Sequence, residues 1–456
     1  MGRLMTTTPA ETVVESVIRF LDRSDVEALF DTAARDSLSP ERLANTPLPA
    51  GLTLRETEEL LAAVRRLGAL RSPFPDFEGR PYWYALTQEM LWNLRVIGHE
   101  CAQGSDLSRA IEDREGKRFL VRSLVDEAIA VSRLDGASIS HRSARELLQL
   151  DATPSSDDER VVVNTHRALN DLARYADQDV TPQLLIALYE RVTSGTDHPP
   201  FDPGEMRREA ATAMTRVEML EALCAVANDS ERVRSEHPAI TALLLQWAVQ
   251  YWQPFPRWNG ALSSLLFRLQ ALRRHYPVLG FLPISSTIAA WQDGEITPPT
   301  VIIAPEQEEV VLDRYGEGDL SLAITVRLQL VRIALEKLHG YVTEATERDV
   351  TLRSLLQHDT TLNSRQRSVL GRALRLPDAT FRIRYHQTTH NIAYSTARAD
   401  LMELQKSGYL QVVQEGKAMV YTAAPDLAQK VVRVAALLEE QERRVRPRGR
   451  SHERHA

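Results

Sequence analysis

Two stretches of the chain are apolar on almost every side at helix length. Pro238 to Tyr251 has few polar positions, and Leu262 to Arg274 carries Leu265, Leu266, Leu269 and Leu272 at helical spacing. A helix without a polar face must be buried, so the pattern predicts two central helices inside a domain. Between them lies Trp252-Gln253-Pro254-Phe255-Pro256-Arg257-Trp258-Asn259-Gly260. Two prolines and an Asn-Gly pair read as an internal turn, and the backbone amides after it open the second helix. Such an opening favours an anion or a phosphate.

Other segments are amphipathic. Glu11 to Ala34 predicts one or two helices with Val14, Val17, Ile18, Phe20 and Leu21 on the apolar side. Asn45 to Thr53 is a loop, and Thr53 with Glu56 forms a capping box for the next helix. Arg71 to Arg80, with Pro73, Pro75 and Gly79, is a further break. Asp151 to Glu159 is polar and reads as a surface loop. Val161 to Tyr175 and Thr181 to Val192 are helices, the second capped by Thr181 with Pro182 at its first position. In the last quarter, helices begin at Asn363 and at Tyr394, with a short one leading from Phe381 to Thr388. The helix from Tyr394 stops at Ser407-Gly408. Strands Tyr409 to Val413 and Ala418 to Thr422 follow, joined by Gln414-Glu415-Gly416-Lys417. Helix, turn, helix and hairpin is the layout of a winged helix.

Composition adds bounds. The chain has 456 residues, 43% hydrophobic and 26% charged, as in a globular protein large enough for two or three domains. Only Cys101 and Cys224 occur, without metal-ligand spacing, which fits buried thiols in a reducing compartment. No apolar run is long enough to cross a bilayer, and Met1 to Glu11 lacks a signal-peptide core, so a cytoplasmic location without a membrane partner is expected. Net charge is −7, but Thr351 to Ala456 holds 18 Lys/Arg against 10 Asp/Glu, leaving +8 there and −15 before it. A basic C-terminal part on an acidic body fits nucleic-acid contact, although Arg443 to Arg454 supplies part of the excess as a solvated tail.

The central turn resembles the signature of the Fic (Fido) family, His-x-Phe-x-Asp/Glu-Gly-Asn-Gly-Arg-x-x-Arg, whose members mostly transfer AMP from ATP to a protein hydroxyl. Phe255, Asn259 and Gly260 match. Gln253 stands where the family has its general base, and an amide has no titratable lone pair. Arg257 replaces the magnesium-binding acid, Trp258 the glycine of the anion nest, and Ala261 and Ser264 the two phosphate-binding arginines. Val125 to Ser140 is similar to the family's inhibitory helix, with Asp135 at the position of the inhibitory Glu and Gly136 ending the helix. With Ser264 in place of the motif arginine, Asp135 is expected to have lost its partner; a plain helix stop fits it equally. Pro203, Gly204 and Arg207 resemble the family's flap, which pairs with a target peptide; a tight turn with Arg207 in a surface ion pair also fits. Gln246 stands at a second histidine position.

The resemblance runs from about residue 80 to 345 and implies a mainly α fold, an all-helical Fic-type core with a short β-flap plus a C-terminal winged helix-turn-helix domain. The expected divisions are an N-terminal helical region (1–79), the core (80–345) with its inhibitory-type helix (121–140), the winged-helix domain (351–425), and a C-terminal helix with basic tail (426–456). Thr-Ala-x-x-Asp-Leu-x-x-Leu resembles the recognition helix of winged helices attached to Fic proteins. Its Ser395, Thr396, Arg398 and Lys406, with Lys417 on the wing, are candidates for DNA contact; protein binding or dimerisation is the alternative. One reading is a catalytically degenerate binding or regulatory protein that acts on DNA. Another is a nucleotidyl- or phospho-transferase of altered, metal-independent mechanism, with Arg257, Asn259, the Gly260 amide and Arg268 as an anion pocket for a nucleotide held without magnesium. A third is a dimerisation scaffold. The expected partners are DNA, a protein or peptide at the flap, and a second copy of the chain.

Overall fold

The structure is a computed structural model and describes residues 23–35, 43–75, 79–112, 114–149, 152–198, 201–202, 214–296, 318–359, 361–375, 379–415 and 418–445. It is mainly α-helical and divides into two compact units, Met1–His339 and Gly340–Ala456.

The first unit begins with α1 (Ser24–Arg35) and α2 (Leu54–Leu67). Thr53 starts α2 through the expected capping box, its hydroxyl accepting the Glu56 amide while Glu56 accepts the Thr53 amide. Such a cap is worth about 1 kcal/mol. Next come β1 (Leu70–Pro75) and β2 (Pro81–Tyr84), an antiparallel pair. Here the structure corrects an expectation: the break at 71–80 contains most of strand β1, and β2 follows it directly. Pro73 and Pro75 are tolerated because β1 pairs on one side only among the described residues. Burial supplies what its amides lack: Phe74 is fully buried and meets Trp252 edge-on at 5.2 Å. The hairpin spans the division expected at residues 79 and 80.

The chain continues as α3 (Gln88–Cys101), α4 (Asp106–Glu112), α5 (Arg114–Leu134), α6 (His141–Gln149), α7 (Asp157–Asp171), a 3₁₀ turn (Leu172–Tyr175), α8 (Pro182–Thr193), α9 (Arg216–Asn228) and α10 (Ser230–Ser235). Thr181 caps α8 by accepting the Leu184 amide, with Pro182 at its start as predicted. Then α11 (Pro238–Trp252) and α12 (Asn259–Arg273) form the centre, followed by α13 (Pro277–Phe281), α14 (Ile284–Gln292) and α15 (Ser321–His358), whose residues after His339 belong to the second unit. Leu243, Leu244, Leu245 and Val249 of α11 and Leu262, Leu265, Leu266 and Leu269 of α12 are all buried. Each fully buried leucine contributes roughly 1.5–3 kcal/mol, which is why these two helices have no polar face. Cys101 and Cys224 are free and buried, and burial pushes the Cys224 thiol up to about 12, which keeps it unreactive at neutral pH.

The second unit contains α16 (Ser364–Arg375), β3 (Phe381–Arg382), α17 (Ile383–His390), α18 (Tyr394–Lys406), β4 (Leu410–Glu415), β5 (Ala418–Ala423) and α19 (Leu427–Val445). Its antiparallel sheet has the order β3-β5-β4, with Phe381 opposite Tyr421 and the hairpin running from Leu410 opposite Ala423 to Glu415 opposite Ala418. Asn391, at φ +48°, ends α17 in the left-handed region that Asn tolerates. Leu370, Ala397, Leu401, Leu404 and Tyr421 make one core, joined by Leu352 and Leu356 from α15 and by Leu427 and Val431 from α19. The start of the segment expected to stand apart at 426–456 therefore belongs to this core. Among the described residues no helix is long and apolar enough to cross a membrane.

Candidate functional site

The turn between α11 and α12 is held by its own residues. Gln253 caps α11 at φ +45°, its amide bonded to the Val249 carbonyl at 3.0 Å, and its side chain is exposed. Asn259 grips Phe255 twice: Oδ1 accepts the Phe255 amide at 3.0 Å and Nδ2 donates to its carbonyl at 2.9 Å. Phe255 stacks on Tyr189, ring centres 4.9 Å apart. Trp258 is buried at 2% exposure with φ +61°, a backbone state that costs a side-chain-bearing residue about 1–2 kcal/mol. Burial of the indole offsets that strain. Arg257 is exposed, its guanidinium 5.0 Å from the centre of the Trp258 ring.

Trp258 holds the N-cap position of α12 without offering a side-chain acceptor. The acceptor comes from α5. Gly136 at φ +96° turns the chain there, with the Gly136 amide on the Arg133 carbonyl and the Ala137 amide on the Ser132 carbonyl. This turn delivers Asp135 to the opening of α12, where Oδ1 accepts the Gly260 amide at 2.8 Å and Oδ2 the Ala261 amide at 2.7 Å. A Cβ at position 260 would lie 2.4 Å from Asp135 Oδ1, so the approach requires glycine. Burial pushes the Asp135 carboxyl up to about 6, against the opposing pull of the Ala261 and Gly260 amides and of Arg257. The expectation that Asp135 lacks a partner is overturned: its partner is the helix opening itself. Among the described residues nothing lies within 4 Å of a Cβ built on Gly136, so Gly136→Ala isolates the backbone cost. It is expected to lose about 1–2 kcal/mol in urea denaturation.

The four-residue anion pocket expected from Arg257, Asn259, Gly260 and Arg268 is not assembled. Asn259 is committed to Phe255, and the Gly260 amide to Asp135. Arg268 is 1% exposed, donating to the Gly280 and Leu282 carbonyls at 2.8 and 2.7 Å. Its Nη2 lies 3.4 Å from Glu127, itself 1% exposed. Burial lowers the Arg268 pKa and Glu127 works against that shift. Glu127 also accepts from Ser264 Oγ at 2.7 Å, and from the Ser285 hydroxyl and amide at 2.8 Å each. Ser264 and Arg268 sit one turn apart on α12, so both reach the same carboxylate. This buried centre is absent from the sequence reading. The available signal was a lone carboxylate between Leu124, Ala128 and Val131 on the buried face of α5.

In the second unit α18 turns Ala397, Leu401 and Leu404 inward, leaving Ser395, Arg398 and Lys406 exposed and Thr396 half-buried. Asp400, on the inward face, binds Arg365 Nε at 2.7 Å and Nη2 at 3.1 Å, Asn363 Nδ2 at 2.8 Å and His386 Nε2 at 3.1 Å. Burial works to raise the Asp400 carboxyl, but the Arg365, Asn363 and His386 bonds together hold it below the usual carboxylate range. One side chain thus ties α16 and α17 to α18. Pro203, Gly204, Arg207 and Lys417 lie outside the described residues. Among the described residues no cluster of three His, Cys, Asp or Glu side chains is placed to hold a metal ion.

No protein-family model matches the chain, and no curated protein sequence is similar to it. Among solved structures it is similar to a Fic-domain-containing signaling protein from Bacteroides thetaiotaomicron, at 15% identity and a TM-score of 0.40 over 55% of this chain and 95% of that one. It is also similar to a fragment of Fic-1 from C. elegans, at 16% identity and a TM-score of 0.42 over 74% of this chain and 88% of that one.

Proposed function

We propose that the chain is a Fic-type protein whose AMP-transfer centre is silent and which works by binding, with DNA contacted by its C-terminal unit. The observation that carries this reading is the Asp135 carboxylate on the Gly260 and Ala261 amides. A helix opening suited to a phosphate is satisfied by an acid of the same chain. Gln253, at the position of the family's base, cannot take a proton, and Arg268 is spent on carbonyls and Glu127. A general base is worth about 10²–10⁴ in rate and one charge-stabilising donor about 10²–10³, so losses on this scale leave little transfer.

The output is assigned to α18. This rests on the order of α17, α18 and the β4–β5 hairpin, which is the order expected of a winged helix, and on Ser395 and Arg398 being exposed one turn apart. An arginine there can take a guanine edge or a phosphate, and Ser395 can donate to a phosphate. Asp400 keeps the helix in place from behind.

Two assays on the purified full chain test this. Labelled ATP is expected to leave no covalent label on the chain or on proteins of a cell extract; any labelled protein that depends on this chain overturns the silent-centre reading. Anisotropy with random-sequence duplex DNA is expected to show salt-dependent binding, with Arg398→Glu plus Lys406→Glu weakening it about tenfold or more and flattening the salt slope by roughly 2. Equal affinity in the variant would refute the assignment to α18.

A further inference from the structure

A cleft of about 440 Å³ opens between the last turn of α5, the segment Ala137–Ser140 that follows Gly136, and the end of α14. Its size lies within the range of small-molecule sites, ~300–1,000 Å³. Two opposite charges line it from separate elements: Arg133 on α5 and Asp293 just past α14. Among the described residues neither side chain has an ion-pair partner, so the cleft keeps a cation and an anion apart. The Ser138 amide is bonded to Asp158 at 2.8 Å, which fastens the intervening segment. Ser138 and Gln292 add neutral hydrogen-bonding groups, and Ala130, Leu134 and Ala289 an apolar surface. α14 presents its C-terminal end beside Asp293, and the partial negative charge of such an end favours an ammonium group there.

We infer that this cleft binds a small zwitterion of the free amino-acid or dipeptide class, its carboxylate on Arg133 and its ammonium group on Asp293. A ligand carrying one charge satisfies one wall and leaves the other unpaired. A ligand carrying both satisfies each, and the order of the two charges sets its direction in the cleft. None of the cleft's lining residues is one that bonds the α12 opening, and its test does not depend on the proposed function.

The full chain is titrated by thermal shift and calorimetry with the free L-amino acids, with diglycine and with γ-aminobutyrate, which vary the spacing between the charges. At least one is expected to bind saturably, and acetate and methylammonium about tenfold more weakly or worse. Arg133→Glu and Asp293→Lys, both at exposed positions, are each expected to weaken that binding at least about tenfold. The double swap recovers it, because a zwitterion can turn round. The inference is overturned if no zwitterion binds, if the singly charged ions bind equally well, if either single variant binds like the wild type, or if the double variant binds no better than the singles.

Discussion

Glu127→Ala is expected to destabilise the first unit by about 3–5 kcal/mol, the range seen when one partner of a buried ion pair is removed. Glu127 and Arg268 are both 1% exposed, and the alanine leaves the guanidinium with two carbonyls and no counter-charge. It also strands the Ser264 and Ser285 hydroxyls and the Ser285 amide, each of which gives Glu127 a hydrogen bond. Arg268→Met alone is expected to cost a similar amount, since it leaves the carboxylate buried. The double change Glu127→Leu with Arg268→Met is expected to cost less than either single, because apolar pairs of similar volume often replace buried ion pairs without loss. All six tryptophans lie before residue 340, so their fluorescence in urea reports the first unit separately from the second. A loss below about 1 kcal/mol for Glu127→Ala would show that this centre contributes little to the fold.

Asp135→Ala is the second large effect, about 2–4 kcal/mol, because it leaves the Gly260 and Ala261 amides without an acceptor at about 1–3 kcal/mol each. The variant also empties the opening of α12. Inorganic phosphate is therefore expected to raise the melting temperature of Asp135→Ala in a saturable way and to leave the wild type unchanged. If phosphate stabilises both equally, Asp135 does not occupy an anion site.

The same carboxylate gives a pH signature with a definite sign. Its folded pKa is raised to about 6 from an ordinary value of 3.8, so between these values the folded state holds the proton more tightly. Stability from this group is fully present below about pH 4, falls as pH rises to about 6, and is flat above. A shift of about 2 units corresponds to about 3 kcal/mol. The difference in stability between wild type and Asp135→Asn is expected to move in favour of the wild type as pH is lowered from 7 to 4. A constant difference would mean that Asp135 titrates normally.

The candidate site was legible in parts. Reading Gln253 as unable to act as a base required only its side-chain chemistry, and Gly136 as a helix stop required only its lack of a Cβ; the structure places both at helix ends with positive φ. The proposed roles of Asn259 and Arg268 were wrong because the family motif places residues by position, while their hydrogen bonds depend on what packs against them. Arg268 faces the Gly280–Leu282 turn and α5, so its charge is consumed in the interior. Asp400 appeared in the sequence as one letter of a recognition-helix pattern. Its role in binding Asn363, Arg365 and His386 needs three helices to meet.

By itself, the sequence determined what is decided within a few residues. This includes the burial of α11 and α12, the capping of α2 by Thr53 and of α8 by Thr181, and the order of helices and hairpin in the second unit. Apolar periodicity, proline and capping side chains act through neighbours one turn away, so their effect can be read locally. Tertiary structure alone decided that Pro73 and Pro75 sit in an edge strand held by Phe74 against Trp252. It alone brought Glu127 to Ser264, Arg268 and Ser285, and Asp135 to amides 125 and 126 residues further on. Those pairings depend on how helices cross. A buried carboxylate takes whichever donors that crossing brings within reach, because leaving it without them costs more than any local preference supplies.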